Sequence, residues 1–187
     1  MTEEAQMCLD EATENMESAI EHLEREFQKI RAGKASPSML EGIMIDYYGA
    51  QTPIEQTANI NTPDPRQIIV QPWDKSILPE LEKAIMSANL GFNPKNEGEV
   101  LRIVVPPLTE ERRLDLVKQA KNEAEQTKIS IRNSRRNAND LAKSLEKDGL
   151  PEDETKRLMD KVQDLTNDYI EKIDKLFESK ETDIMTV

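Results

Sequence analysis

The run Thr109–Lys147, TEERRLDLVKQAKNEAEQTKISIRNSRRNANDLAKSLEK, decides how the rest of the chain must be arranged. It follows Pro106-Pro107-Leu108 and reaches Gly149-Leu150-Pro151 without an internal Gly or Pro. Thr109 before Glu110 and Glu111 reads as a helix N-terminus: the hydroxyl can accept from free N–H groups, and carboxylates suit the positive helix end. Gly149 and Pro151 read as the stop. A helix of this length spans roughly 55 Å, long for a globular domain. Val117, Ala120, Ala124, Thr127, Ile131, Ser134, Ala138, Leu141 and Leu145 recur at alternating steps of three and four. That is a heptad seam, the pattern of helices packing at a shallow angle. Its middle is rich in small residues, so partner helices should approach closely there.

A second face of the same helix carries Lys121, Lys128, Arg132, Arg135, Arg136 and Lys143. Steps of three, four and seven place most of them on one side of the rod. The chain as a whole is acidic, with a formal charge of −12 over 187 residues. Residues 109–147 are the exception at +3, against −7 for 1–30, −2 for 31–108 and −6 for 148–187. An acidic protein is repelled by nucleic acid, so a single basic stripe would confine contact to one face. Pairing of these bases with the acidic neighbouring helices is the competing reading. Arg132, Arg135 and Arg136 carry most weight, because a planar guanidinium donates two parallel hydrogen bonds to phosphate. Such a flank would read RNA backbone and shape rather than bases.

Outward from this helix, residues 3–30 read as another. Leu9, Ala12, Met16, Ala19, Leu23, Phe27 and Ile30 form its seam, and Glu14, Glu17, Glu21 and Glu24 its outer face. The pattern fails at Arg31-Ala32-Gly33-Lys34-Ala35-Ser36-Pro37, where Gly33 can end the helix and Pro37 disfavours helical geometry at Ser36. On the other side, Glu152 to Ile184 reads as a third helix with Leu158, Val162, Leu165, Tyr169, Ile173 and Leu176 on its seam. Between the first two helices the composition changes: seven of the ten prolines fall between Pro37 and Pro94. Short runs at 42–48, 58–60, 67–73 and 100–105 read as strands, with turns at Tyr48-Gly49 and Pro63-Asp64-Pro65. A helix over 76–88 presents Leu78, Leu81, Ile85 and Met86 and ends before Gly91.

The fold class is therefore α+β: an elongated three-helix bundle, residues 1–30 plus 109–187, with an inserted small β/α/β domain at 31–108. Links at 31–36 and 105–108 leave and re-enter the bundle at one place, which predicts a hinge formed by Arg31, Ala32, Gly33, Val105, Pro106 and Pro107. A catalytic centre is not expected. His22 is the sole histidine, and the sole cysteine, Cys8, excludes a Cys-based zinc site and reads as a small buried hydrophobe. Gly33-Lys34-Ala35 lacks the flanking Gly and Ser or Thr of a phosphate loop. Trp73 is assigned to packing in the small domain. No apolar run approaches the roughly 20 residues needed to span a bilayer, and the N-terminus is acidic. These features predict a cytoplasmic protein without cofactor or metal, and the absence of an Arg- and Ser-rich leader favours a bacterial one. A coiled-coil scaffold that leaves its seams open for partner helices is a competing class. An enzyme using Cys8 or His22 is another.

Four segments carry a resemblance: Arg31-Ala32-Gly33-Lys34-Ala35-Ser36-Pro37-Ser38, Gln71-Pro72-Trp73-Asp74-Lys75-Ser76, Pro107-Leu108-Thr109-Glu110-Glu111-Arg112-Arg113 and Ile131-Arg132-Asn133-Ser134-Arg135-Arg136. In this order and at these separations they resemble the bacterial ribosome recycling factors, over essentially the whole chain. Asn137 departs from the Asp often found there. The resemblance implies an L-shaped, hinged protein with the dimensions of a tRNA. It implies a monomer that binds the post-termination ribosome at the subunit interface. With elongation factor G and GTP, it would separate the subunits, the small domain rotating to disrupt intersubunit bridges. GTP hydrolysis would belong to the elongation factor, so the chain itself would not be an enzyme. The bundle would rest on large-subunit rRNA through Arg132, Arg135 and Arg136, with Arg31 and Arg112 near the hinge, and with Lys121 and Lys128 continuing the stripe.

Overall fold

The computed structural model describes residues 1–30 and 33–186. In chain order the elements are α1 (Glu3–Lys29), a 3-10 turn (Pro37–Leu40), β1 (Met44–Tyr47), β2 (Ala50–Pro53), α2 (Ile54–Thr57) and β3 (Ala58–Asp64). There follow β4 (Gln67–Pro72), a 3-10 turn (Lys75–Ile77), α3 (Leu78–Ser87), β5 (Pro94–Asn96), β6 (Leu101–Val104), α4 (Glu110–Lys147) and α5 (Glu152–Met185). The chain divides into two compact units, Met1–Ala32 with Glu110–Val187, and Gly33–Thr109.

The first unit is the packing of α1, α4 and α5. Thr2 caps α1 by accepting from the Ala5 N–H at 3.3 Å, and its own N–H donates to Glu154 at 3.0 Å. That bond puts the start of α1 beside the start of α5. At the opposite end of α5, the Met185 carbonyl accepts from Arg113 Nη1 at 3.2 Å, which places the start of α4 there. So α4 runs antiparallel to the other two. The reversal between α4 and α5 is a Schellman stop. Gly149 adopts φ +116° and donates to Glu146, while Leu150 donates to Leu145 at 2.9 Å and is itself buried.

The buried stripe of each helix departs from its predicted seam by single residues. In α1 it is Ala5, Cys8, Ala12, Met16, Ile20, Leu23 and Phe27, so Cys8 and Ile20 are inside while Leu9 and Ala19 are half-buried. In α4, Leu116 and Ala142 are buried, Val117 is half-buried, and Leu141 is exposed. In α5, Thr166 replaces Leu165. In α4 the expected seam follows a strict seven-residue repeat, against which a straight helix drifts about 20° per heptad; the seams of α1 and α5 already contain an extra step of four and are displaced by one position within it. The end of α1 also differs from expectation. Ile30 leaves helical geometry at φ −80°, ψ 97°, ahead of Gly33.

The inserted unit is built on a four-stranded antiparallel sheet in the order β3-β4-β6-β5, beside the hairpin β1-β2. The hairpin turn is Tyr48-Gly49, with φ of +50° and +86°, the double positive that matches strand twist in two-residue hairpins. Ile68 and Val70 on β4 and Leu101 and Ile103 on β6 point inward at a period of two, against Ile45, Ile54, Leu81 and Ile85. The sequence reading missed β2, α2 and β5. It also placed a turn at residues 63–65, but β3 continues through Pro63 to Asp64 and turns at Pro65-Arg66. Pro63 is accommodated because the β3–β4 register shifts between Asn61 and Asp64. The helix predicted over 76–88 is a 3-10 turn followed by α3. Asn89, at φ +51°, takes the left-handed position after it, ahead of Gly91. Met86 and Trp73 were both expected to pack inside, yet they are 54% and 69% exposed.

Candidate nucleic-acid interface

The candidate surface is the flank of α4 that faces α5. Counting 100° per residue from Ala120 in the buried stripe, Arg135, Lys128, Lys121, Arg132, Lys143 and Arg136 fall between about 60° and 160° round the helix. Lys121 and Lys143 lie roughly 33 Å apart along the axis. Lys121, Arg132, Arg136 and Lys143 are exposed, and among the described residues none of them is paired with a carboxylate. These cations keep their water and their full set of donors, the state in which phosphate contact costs least in desolvation and gains from counterion release.

Two members of the stripe are held from α5. Lys128 Nζ lies 2.6 Å from Asp174 Oδ1 and 3.6 Å from Glu125 Oε1, and only 16% of its side chain is exposed. Hydrogen bonding to Asp174 holds its ammonium above the ordinary value, against a smaller opposing effect of burial. Lys128 thus belongs to an α4–α5 ion pair, so its ammonium is already partnered within the bundle. Arg135 donates through Nη1 to Gln163 Oε1 at 3.1 Å, which orients the guanidinium and leaves its other donors available. Arg112 is exposed but lies about 200° round the helix from Arg132. It does not belong to the stripe. Arg31, also named as a contact, lies outside the described residues, as does Ala32 of the predicted hinge.

The sequence reading overlooked two bases. Lys118 stands 18 residues before Arg136, five whole turns at 3.6 residues per turn. Lys147 stands 11 residues after it. Both are exposed and extend the stripe along the same line. The spacing alone contained that signal, but it was followed only where cations were dense.

The links to the inserted unit are shorter than predicted. The Val105 N–H donates to the Arg66 carbonyl at 2.8 Å, extending the β4–β6 ladder, and its side chain is in the sheet core. Ala35 donates to Pro65 at 2.7 Å, and Ser36 caps the 3-10 turn at Pro37. Val105 is therefore tied into the sheet unit. Pro106 and Pro107 are exposed. Gly33 has φ +74°, and a Cβ there would lie 2.5 Å from Leu108 Cγ. Only glycine fits both the backbone conformation and the space.

Cys8 is buried, and its Sγ lies 3.5 Å from the Ala138 carbonyl. Burial pushes its thiol pKa up, with Glu11 adding to the effect, which is the direction of an inert thiol. His22 is exposed. Among the described residues no group of His, Cys, Asp and Glu could hold a metal ion, and no helix is long and apolar enough to cross a membrane.

The family model described as ribosome recycling factor matches residues 23–185. The chain belongs to the ribosome recycling factor family. It is 56% identical to the ribosome-recycling factor of Flavobacterium johnsoniae over 187 residues, all of both chains. It is 55% identical to that of Christiangramia forsetii over 185 residues, 99% of this chain and all of the relative. A solution structure of a ribosome recycling factor, 40% identical, superposes with a TM-score of 0.74 over all of both chains. A second similar structure, 43% identical with a TM-score of 0.61, belongs to models of the T. thermophilus ribosome recycling factor and the E. coli elongation factor G bound to the E. coli post-termination complex. The recycling-factor match spans both units, so the long helices and the inserted sheet are both family features.

Proposed function

We propose that this chain recycles ribosomes: it binds the post-termination ribosome and, with elongation factor G and GTP, promotes its dissociation into subunits. The observation that carries this reading is the 56% identity to a ribosome-recycling factor along the full length of both chains. A similar structure has been placed with elongation factor G on the post-termination complex. The cations of this flank of α4 supply the chemistry for anchoring on large-subunit rRNA, through exposed Arg132 and Arg136 and half-buried Arg135, with Lys118, Lys121, Lys143 and Lys147 along the same flank. Phosphate contacts would fix position and orientation without reading bases. The links at 33–34 and 106–108 would act as the pivot that lets the small domain rotate and disrupt intersubunit bridges. The chain works as a monomer in the cytoplasm and performs no hydrolysis itself, the energy coming from the elongation factor's GTP. The test is a subunit-splitting assay. Purified post-termination ribosomes are mixed with this protein, elongation factor G and GTP, and dissociation is followed by light scattering. Loss of scattering that needs all three components supports the proposal; intact ribosomes in the complete mixture would refute it.

A further inference from the structure

The two flanks of α4 have opposite electrostatic character. The flank toward α5 is the basic stripe. On the flank toward α1 lies an open groove of 440 Å³ whose apolar floor includes Met7, Leu141 and Leu145. Met7 is 65% exposed, more than any other large apolar side chain of the helical unit among the described residues, and Leu141 beside it is 39% exposed. The rim is Glu4, Asp10, Glu11 and Glu14, and among the described residues no base lines the groove. Asp10 accepts from Gln6 at 2.8 Å, while among the described residues Glu4, Glu11 and Glu14 pair with no Lys or Arg.

Four exposed carboxylates round an apolar floor repel nucleic acid and anionic lipid. They attract a cation that also brings apolar surface. Methionine's flexible thioether adapts to different apolar side chains. The groove between two helices is the geometry that receives an amphipathic segment through spaced apolar anchors. We infer that the α1–α4 groove docks a Lys- and Arg-rich protein segment, with an apolar side chain seated on Met7, Leu141 and Leu145 and its bases facing Glu4, Glu11 and Glu14. The bundle then has two interaction faces that cannot exchange partners: one for phosphate and one for basic protein. This assignment does not depend on the recycling activity, so it can fail while that reading stands.

The test uses the full chain and a fluorescein-labelled amphipathic Lys/Leu peptide, followed by fluorescence anisotropy. Binding by the wild type is expected, with loss when the peptide's leucines become Gln or its lysines become Glu. Glu11→Lys with Glu14→Lys should weaken binding roughly tenfold or more, since truncating or reversing facing charges acts directly on such contacts. Met7→Gln with Leu141→Gln should weaken it comparably. Glu178→Lys with Glu181→Lys, an equal charge change on exposed α5, should leave it unchanged, and circular dichroism checks that each variant folds. Equal losses for both charge reversals would mean bulk attraction and would overturn the assignment, as would no binding of the Lys/Leu peptide. Self-association by sedimentation that disappears in the groove variants would also overturn it, making the occupant the basic stripe of a second copy.

Discussion

Ile131 and Ile103 are both fully buried, yet they reach the interior by different routes. Ile131 is carried inward by the local period of α4, and its neighbours Thr127, Ala124 and Ala120 follow the same rule. Ile103 is inward because β6 pairs with β4 in a register that sets it opposite Ile68, 35 residues earlier in the chain. A one-residue slip in that register would turn the strand inside out, whereas in the helix the same error moves a side chain only to the edge of the stripe. The helical unit thus displays its buried and exposed faces in the sequence. The sheet unit hides its own until the pairing is known.

The largest effect should come from breaking either core. Ile131→Ala and Ile103→Ala should each cost about 2–5 kcal/mol, read by native-state hydrogen exchange. The first should lower protection along α1, α4 and α5, and the second along β3, β4 and β6. Equal loss throughout both units from either substitution would erase the distinction. Next comes Gly33→Ala, which should destabilise the sheet unit by about 1–3 kcal/mol through strain at positive φ and the clash with Leu108. Adding Leu108→Ala removes the clash but not the strain, so in urea unfolding the double variant should recover part of the loss expected of independent changes. No recovery would mean that the space beside Gly33 is unimportant.

A smaller effect concerns the ion pair between α4 and α5. Lys128 has its pKa raised in the folded state by the hydrogen bond to Asp174. Its contribution is therefore complete below the unfolded value, near 10.5, and is lost as pH rises through the folded one. With Asp174 more than half exposed, the pair is worth roughly 0.2–1 kcal/mol. Asp174→Asn should lower stability by that amount at neutral pH and lose less than the wild type above about pH 10.5. Parallel pH profiles for the two proteins would show that Lys128 is not held this way.

What could be read in advance follows the same division. The three long helices and the stop between the second and third were visible because capping residues and periodicity are local: Gly149 and Pro151 mark a stop wherever they occur after such a run. Leu141 was placed inside by a rigid heptad laid on a helix that drifts, and Leu165 and Ala19 each stand one residue from the position that is buried. Pro63 inside β3 and the exposed Trp73 could not be foreseen, since the first depends on a bulge against β4 and the second on what the sheet leaves uncovered. In the candidate site, Arg132 and Arg136 were legible because an exposed side chain needs only its own helix to be placed. The pairings of Lys128 with Asp174 and of Val105 with Arg66 were not legible, because each partner comes from an element whose position no local pattern reports.

The proposed role of the α5-side flank of α4 is to hold rRNA by phosphate contacts. It is tested most directly by the salt dependence of large-subunit binding for the wild type and for Arg132→Ala, Arg135→Ala and Arg136→Ala. Affinity should fall steeply with salt for the wild type. Each substitution should weaken binding at low salt and reduce the slope of log K against log salt by about 1, while stability changes stay within about 0.5 kcal/mol for exposed Arg132 and Arg136. Unchanged affinity and an unchanged slope in all three variants would contradict the claim and leave the stripe as a solvated face of the bundle.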